Sequence, residues 1–232
     1  MRFPAPLVPA RLLRRYKRFL ADVRFENGES ITVHCPNPGR MLGLDTPGAR
    51  VWVSKSGLAS RKLPYTLELV EADGSLVGIN TLQPNRLARE AIRAGMIEEL
   101  RGYAVVRPEI RYDQNARIDL LLQDSHRPDC YVEVKNVHLK RGSGAEFPDS
   151  VTARGVKHLA ALRRRVDAGA RAVMLYVVQR ADCDRLGLAA DIDPAYAAAA
   201  AEAWRSGVEA VCYACEVSPG EVRIARRLPV VV

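Results

Sequence analysis

Along the first 82 residues, hydrophobic and polar positions form short segments with the character of β-strands. Turn-forming pairs such as Asn27-Gly28 and Asp73-Gly74 separate these segments. The predicted strands cover residues 16–26, 29–35, 49–56, 64–72 and 75–81. Five short strands at a spacing of roughly ten residues predict a small antiparallel barrel, for which an OB-like barrel is the natural candidate.

The pattern changes near residue 83, where we place the boundary between a first domain, 1–82, and a second, 83–232. Hydrophobic residues then recur at helical spacing behind Pro84, which predicts a helix over 83–100. The predicted elements that follow are strands at 103–112, 116–123 and 130–138 with Asn115 in the first turn, a helix at 148–169, a buried strand at 170–179, a helix from Asp193-Pro194 to Gly207, and a strand at 208–217. The order α-β-β-β-α-β, with an α-β extension, predicts a mixed domain of the α+β or α/β class.

Two acidic residues and a lysine form the most specific candidate site. Side chains alternate along a strand, so Glu133 and Lys135 share one face of the strand 130–138. A hairpin pairing with the preceding strand brings Asp119 beside Glu133, while Ile118 points to the opposite, apolar face. Two close carboxylates are stable as anions mainly with a cation between them, which is how proteins hold Mg²⁺.

A lysine beside such a metal can orient or deprotonate a water molecule, and the chemistry indicated is phosphodiester hydrolysis. The alternative is an ordinary cross-strand ion pair on a solvated strand face.

The chain carries a formal net charge of +8, which favours a polyanionic partner. The run 11–23 interleaves basic and aromatic residues, a composition suited to phosphate contacts and base stacking. Its candidate nucleic-acid-binding residues are Arg14, Arg15, Tyr16, Lys17 and Arg18. The alternative for this run is a basic, solvated strand.

A second basic group lies on the predicted helix 148–169. Arg154 and His158 are spaced to share one face of that helix, and Lys157 lies beside them. These three residues are candidates for contact with the scissile phosphate. A basic surface face is the alternative.

Five scattered cysteines and the lack of a long hydrophobic run predict a cytoplasmic protein with no membrane partner. Cys212 and Cys215 form a C-x-x-C motif, but the odd spacing points them to opposite faces of a predicted strand. A shared metal is therefore not expected there. The glycine-containing segment 140–149 is interpreted as a flexible connection.

Five segments resemble the sugar fermentation stimulation protein A family over nearly the whole chain: RRYKRFLADV, HCPNPGRM, RIDLLL, PDCYVEVKNV and FPDSVTARGVKHL. The element order, with Asp119 on one strand and Glu133 and Lys135 on the next, also resembles the core of the PD-(D/E)xK nuclease superfamily. Ile118 stands where the superfamily motif has proline.

The resemblance implies an OB-like domain joined to a nuclease-like domain, DNA binding, and a link to the regulation of sugar metabolism. It also implies that Asp119 and Glu133 ligate Mg²⁺ or Mn²⁺, that Lys135 is the catalytic lysine, and that Glu90 is an additional acid.

Two hypotheses from different classes follow. The first is a protein that binds DNA with little sequence specificity and carries a Mg²⁺-dependent deoxyribonuclease site. The second is a non-enzymatic DNA-binding transcriptional regulator on a nuclease-like scaffold. The sequence does not distinguish DNA from RNA as the partner, so an RNA-directed version of either stays open.

Overall fold

The computed structural model describes residues 1–58, 60–113 and 116–231, and Asn115 lies outside them. Within this part of the chain, the first domain contains the strands β1 (Val8–Tyr16), β2 (Leu20–Phe25), β3 (Ser30–His34), β4 (Arg50–Lys55), β5 (Tyr65–Ala72) and β6 (Ser75–Gly78). The first five close into a barrel in the order β1-β2-β3-β5-β4, and β6 pairs with β5. The predicted OB-like barrel is confirmed.

The first barrel strand, β1, was not among the predicted strands. The predicted segment 16–26 divides between the end of β1 and β2, with a turn at Lys17 and Arg18, where φ is 48° and 61°. Strand β1 buries Ala10 and Leu12 in the barrel core. Its second half is rich in arginine, and this charge conceals the hydrophobic alternation.

The second domain contains β7 (Val105–Asp113), β8 (Ala116–Asp124), β9 (Arg127–Val137), β10 (Leu139–Arg141), β11 (Gly144–Phe147), β12 (Arg171–Val178), β13 (Arg185–Leu188), β14 (Glu209–Val217) and β15 (Val222–Leu228). A mixed sheet has the order β15-β14-β12-β9-β8-β7, and a smaller one has the order β10-β11-β13. Helix α1 (Pro84–Arg93) covers one face of the large sheet, and α2 (Ala153–Asp167) and α3 (Pro194–Arg205) cover the other. The predicted mixed α/β domain is confirmed.

Two local predictions are wrong. The first helix is shorter than 83–100, because Gly95 adopts a left-handed φ of 68° after it and residues Glu98–Leu100 form a separate 3-10 helix. The segment 140–149, interpreted as a flexible connection, contains the paired strands β10 and β11 instead.

The two domains pack through a shared core. Trp52 and Leu69 of the barrel belong to the hydrophobic cluster under α1. The backbone N–H of Gly78 donates to the Gln179 carbonyl at 2.8 Å, and a side chain at position 78 would overlap Gln179. Among the described residues, no helix is long and apolar enough to cross a membrane.

Candidate functional site

Asp119 lies on β8, where this strand meets β9 and the start of α1. Its Oδ2 accepts a hydrogen bond from the backbone N–H of Val134 at 2.8 Å, and its Oδ1 accepts one from Asn85 Nδ2 at 2.8 Å. A carboxylate thus takes the place of a backbone acceptor in the ladder. The strand is irregular here, because Ile118 packs under α2 whereas Leu120 packs on the α1 side. The prediction that Ile118 points to the face opposite Glu133 is therefore wrong, because both residues lie on the α2 side of the sheet.

Glu133 and Lys135 share the face of β9 that lies under α2. Glu133 is 3% exposed, and its Oε1 accepts a hydrogen bond from Lys135 Nζ at 2.8 Å. His158 of α2 bonds through Nδ1 to the same Oε1 and lies 3.2 Å from Lys135 Nζ. Arg154 donates from Nε to His158 Nε2 at 3.1 Å. Because a guanidinium can only donate, His158 Nε2 is the acceptor, and Nδ1 carries the proton that Glu133 accepts.

The pKa values of the two carboxyl groups move in opposite directions. Burial, and then the charge of Glu133, raises the pKa of Asp119 above its usual value. Burial alone would also raise the pKa of Glu133, but the hydrogen bond from His158 and the charge of Lys135 outweigh it and lower that pKa. Asp119 is therefore the acid that gains more from a further cation beside it.

We call Asp119, Glu133 and Lys135 the carboxylate cluster. The α2 residues that were selected from the sequence do not all reach it. Arg154 and His158 adjoin it, whereas Lys157 is exposed on the surface of the helix.

The basic and aromatic residues at the start of the barrel have different roles. Arg14 and Tyr16 donate hydrogen bonds to Asp22 at 2.7 and 3.1 Å, and the Arg14 guanidinium lies 4.7 Å from the centroid of the Tyr16 ring. Lys17 and Arg18 are exposed at the tip of the β1–β2 hairpin. Arg14 and Tyr16 thus share Asp22 as a partner. Arg14 is still 69% exposed, and the two tip residues also face solvent.

Arg15 connects two loops of the barrel through hydrogen bonds. Its guanidinium donates to the carbonyls of Asn37 and Gly39, each at 2.8 Å, and to those of Arg18 and Arg40 at 3.1 and 3.2 Å. These bonds hold the β1–β2 hairpin against residues 36–41, which we call the proline-rich turn. The Arg15 side chain was predicted to bind nucleic acid, but its guanidinium is hydrogen-bonded to backbone carbonyls of the protein itself.

The proline-rich turn also contacts the second domain through Asp149. The Asp149 Oδ2 accepts hydrogen bonds from the Met41 N–H at 3.0 Å and from His138 Nε2 at 3.2 Å. A Cβ at Gly39 would overlap this carboxylate, so glycine is required for the close approach.

An open cleft of about 770 Å³ lies at this junction of the two domains. Barrel residues 37–40 form one wall, together with Arg15 and Arg18, and second-domain residues 147–152 form the other. We call it the interdomain cleft.

Comparison with known proteins follows the same two-part division. Residues 13–79 match the family model of the SfsA N-terminal OB domain, and residues 82–221 match that of the sugar fermentation stimulation protein RE domain. The chain belongs to the sugar fermentation stimulation protein family. The resemblance found in the sequence is thereby confirmed.

Relatives in the family match this chain over nearly its whole length. The sugar fermentation stimulation protein homolog of Rhodospirillum centenum is 59% identical over 98% of both chains. That of Maricaulis maris is 54% identical over 99% of this chain and 98% of the relative. The structure of Pyrococcus furiosus SfsA in complex with Ca²⁺ superposes with a TM-score of 0.91 at 26% identity, covering 100% of this chain and 98% of that one.

In this member of the family, Glu90 has partners other than the carboxylate cluster. Its carboxylate accepts a hydrogen bond from Arg86 at 3.0 Å and pairs with the N-terminal ammonium of Met1 at 3.0 Å. The α1 residue that touches Asp119 is Asn85. Sequence reasoning did not select Asn85, since an asparagine at a helix start has an ordinary structural explanation.

The sequence also missed the contact between Asp149 and the proline-rich turn. Both segments were selected for their family resemblance, but their spacing along the chain gives no indication that they meet. The described residues contain no group of three or more His, Cys, Asp or Glu side chains arranged to hold a metal. Cys212 and Cys215 pack in cores on opposite faces of the sheet, as predicted.

Proposed function

We propose that this protein is a divalent-metal-dependent nuclease that hydrolyses phosphodiester bonds of DNA, with Asp119 and Glu133 as ligands of Mg²⁺ or Mn²⁺. The observation that carries the proposal is the carboxylate cluster itself. Burial and the charge of Glu133 raise the pKa of Asp119, and the Lys135 ammonium lies 2.8 Å from Glu133. Such a cluster is typical of sites that bind a cation and act on a phosphate.

The donor set fits a hard divalent cation. Proteins usually hold Mg²⁺ with one or two carboxylates, together with water and substrate phosphates, so a three-residue cage is not needed. Glu133 makes both of its described hydrogen bonds through Oε1, which leaves Oε2 for a cation. The Ca²⁺ complex of Pyrococcus furiosus SfsA, a protein with the same overall fold, supports a divalent site in this family.

A bound ion of this kind lowers the pKa of water and offsets the charge that develops on the phosphate. Lys135 donates one N–H to Glu133 and has two more with which to orient the attacking water. His158 holds Glu133 in position, and Arg154 beside it is placed to contact a phosphate oxygen. The water oxygen bonds to phosphorus, the ester oxygen leaves with the bonding electron pair, and a proton of the water ends on it.

Contacts to phosphate give affinity with little sequence preference, which suits the exposed basic groups of this chain. The exposed candidates are Arg14, Lys17 and Arg18 on the barrel, and Arg154 and Lys157 on α2. We expect DNA affinity to fall steeply with salt, by about 0.7 to 0.9 in log-log slope for each phosphate contact.

The test is cleavage of plasmid and single-stranded DNA with Mg²⁺ or Mn²⁺, with EDTA as the metal-free control. Glu133→Gln and Lys135→Ala should each slow cleavage by about 100-fold or more, because each removes a group that acts on the reacting atoms. Both variants should still bind DNA. Glu26→Gln and Lys62→Ala, at exposed positions of the barrel, are the matched controls and should cleave like the unmodified protein.

A DNA-binding transcriptional regulator of sugar metabolism is the alternative, in keeping with the name of the relatives. DNA binding that is insensitive to EDTA, with no cleavage under either metal, would establish that alternative and exclude the nuclease. Competition between DNA and RNA at matched ionic strength addresses the choice of nucleic acid.

A further inference from the structure

We infer that the interdomain cleft is a preformed site for a single-stranded segment of a polynucleotide, which it leads toward the carboxylate cluster. The inference rests on the proposed function and names the form of substrate that the site accepts.

The cleft is too small to enclose a duplex. Its volume of about 770 Å³ equals that of a cube of ~9 Å edge, whereas the major groove of a B-form duplex alone is ~12 Å wide. A single strand has the smaller cross-section, and its unpaired bases can contact protein on their faces.

The walls of the cleft are fixed before any partner arrives. Arg15 donates hydrogen bonds to four backbone carbonyls, including those of Arg18 and Arg40. The backbones of Arg18 and Arg40 are therefore fixed, while their side chains are exposed. On the opposite wall, Asp149 is the one acidic residue among the described residues of the lining, against the three arginines Arg15, Arg18 and Arg40. The net character of the cleft is therefore cationic.

An exposed hydrophobic side chain lines the cleft, and two more adjoin lining residues along the chain. Val151, in the wall of the cleft, is 75% exposed. Phe19 and Leu82 follow directly after the lining residues Arg18 and Thr81, and are 46% and 72% exposed. Positive groove residues next to exposed aromatic and aliphatic side chains are the combination that binds single strands without sequence preference.

The hairpin tip holds its two basic residues at a conformational cost. Lys17 and Arg18 are consecutive and both have left-handed φ values, of 48° and 61°, which glycine would adopt without strain. Strained residues of this kind concentrate at functional sites. The chain thus keeps cationic side chains at positions where stability alone favours glycine.

Three segments of the chain connect the lining of the cleft to residues of the carboxylate cluster or their neighbours. Asn136 lines the cleft and follows Lys135 directly, and Thr152 lines it and caps the helix that carries His158. Thr81 lines it as well and shortly precedes the Asn85 that touches Asp119. Because these connections are only one to six residues long, we expect a single strand in the cleft to extend to the cluster.

The experiment measures binding of a short labelled oligodeoxynucleotide by fluorescence anisotropy in EDTA, where no cleavage occurs. The same sequence annealed to its complement is the duplex arm, and the matching oligoribonucleotide is the ribose arm. We expect either single strand to bind about tenfold more tightly than the duplex, because only the single strand gains stacking in the cleft. The ribose arm identifies which sugar is preferred. Duplex binding as tight as single-strand binding would overturn the inference.

Two variants separate the charge contacts from the stacking contact. Arg18→Ala/Arg40→Ala should reduce the log-log salt slope of single-strand binding by ~1.4, because each arginine that no longer meets a phosphate lowers the slope by ~0.7. Phe19→Ala should weaken binding roughly tenfold and leave the slope unchanged. Arg2→Ala/Arg205→Ala removes two arginines that are exposed outside the cleft and is the control. A slope equal in the two double variants would contradict the inference.

Arg18→Gly distinguishes function from structure at the hairpin tip. It should raise the melting temperature, because glycine relieves the left-handed strain, and it should weaken single-strand binding. A more stable variant with unchanged binding would overturn the role given to Arg18. Because these measurements are made without metal, single-strand preference in a protein that never cleaves would refute the nuclease alone. Cleavage without that preference would refute the cleft alone.

Discussion

Buried carboxylates serve two different purposes in this chain. Burial alone would raise the pKa of Asp149, but hydrogen bonds from His138 and the Met41 N–H outweigh it and lower the pKa to about 2. Asp119 has fewer compensating bonds and a neighbouring carboxylate, and its pKa is raised. Asp149 thus stabilises the junction of the domains, whereas Asp119 is suited to bind a cation.

We predict that Asp149→Asn lowers the free energy of unfolding by about 2 kcal/mol at pH 7. The pKa of Asp149 falls from the usual 3.8 to about 2 on folding. A lowered pKa stabilises the fold above the unfolded value, and this contribution disappears as the pH falls from about 4 through 2. Urea unfolding at pH 7 and at acidic pH measures it.

Asp45→Asn, at an exposed position of the barrel, is the control for Asp149→Asn. It should leave the unfolding free energy nearly unchanged at both pH values. A deficit in Asp149→Asn that stays constant down to pH 2 would show that the carboxylate charge is not the source of its stabilisation.

At this scale the sequence predicts only what strand alternation controls. Glu133 and Lys135 are two residues apart on β9, and their shared face follows from the pleat. The contact of His158 with Glu133 depends on how α2 crosses the sheet, so the sequence assigned His158 to phosphate contact alone. Asp119 bonding to the Val134 N–H breaks the regular pattern and could not be foreseen.

At the scale of elements, one buried acid connects the starts of two helices. Asp193 is 2% exposed, and its Oδ1 accepts the Tyr196 N–H of α3 at 3.0 Å. Its Oδ2 accepts the N–H of Thr152, the N-cap residue of α2, at 2.7 Å. Since α2 carries Arg154 and His158, this acid helps to place the helix over the carboxylate cluster.

We predict that Asp193→Ala lowers the free energy of unfolding by about 2 to 4 kcal/mol, because it removes a helix cap and leaves an N–H unsatisfied. Chemical denaturation measures the change. Asp191→Ala removes a carboxylate that is 63% exposed and paired with Arg141, and should change stability by less than ~0.5 kcal/mol. Equal losses in the two variants would contradict the proposed connection of the helices.

Elements defined by local chemistry were predicted well, and those defined by distant pairing were not. Asp193-Pro194 marks the start of α3 correctly, because capping depends on adjacent residues. Strand β11 pairs with β13, where Gly144 faces Arg185 across a wide separation in sequence. The glycines of that segment indicate a turn but carry no information on its distant partner.

At the scale of the whole molecule, the order of strands and helices was sufficient to predict a barrel followed by a mixed α/β domain. The interdomain cleft was not predictable, because it depends on contacts such as that of Met41 with Asp149. The net charge of +8 indicates a polyanionic partner, but the placement of the available charge only becomes clear when Arg15 is seen to bond backbone carbonyls of the barrel.

The central claim is that Asp119 and Glu133 together hold a divalent cation, and the location of Mn²⁺ in crystals tests it most directly. Anomalous scattering from crystals soaked in Mn²⁺ should show a peak in contact with both carboxylates. The same soak of Glu133→Gln crystals should show a weaker peak or none. A saturating soak that leaves this position empty, or that places the metal away from both residues, would contradict the account.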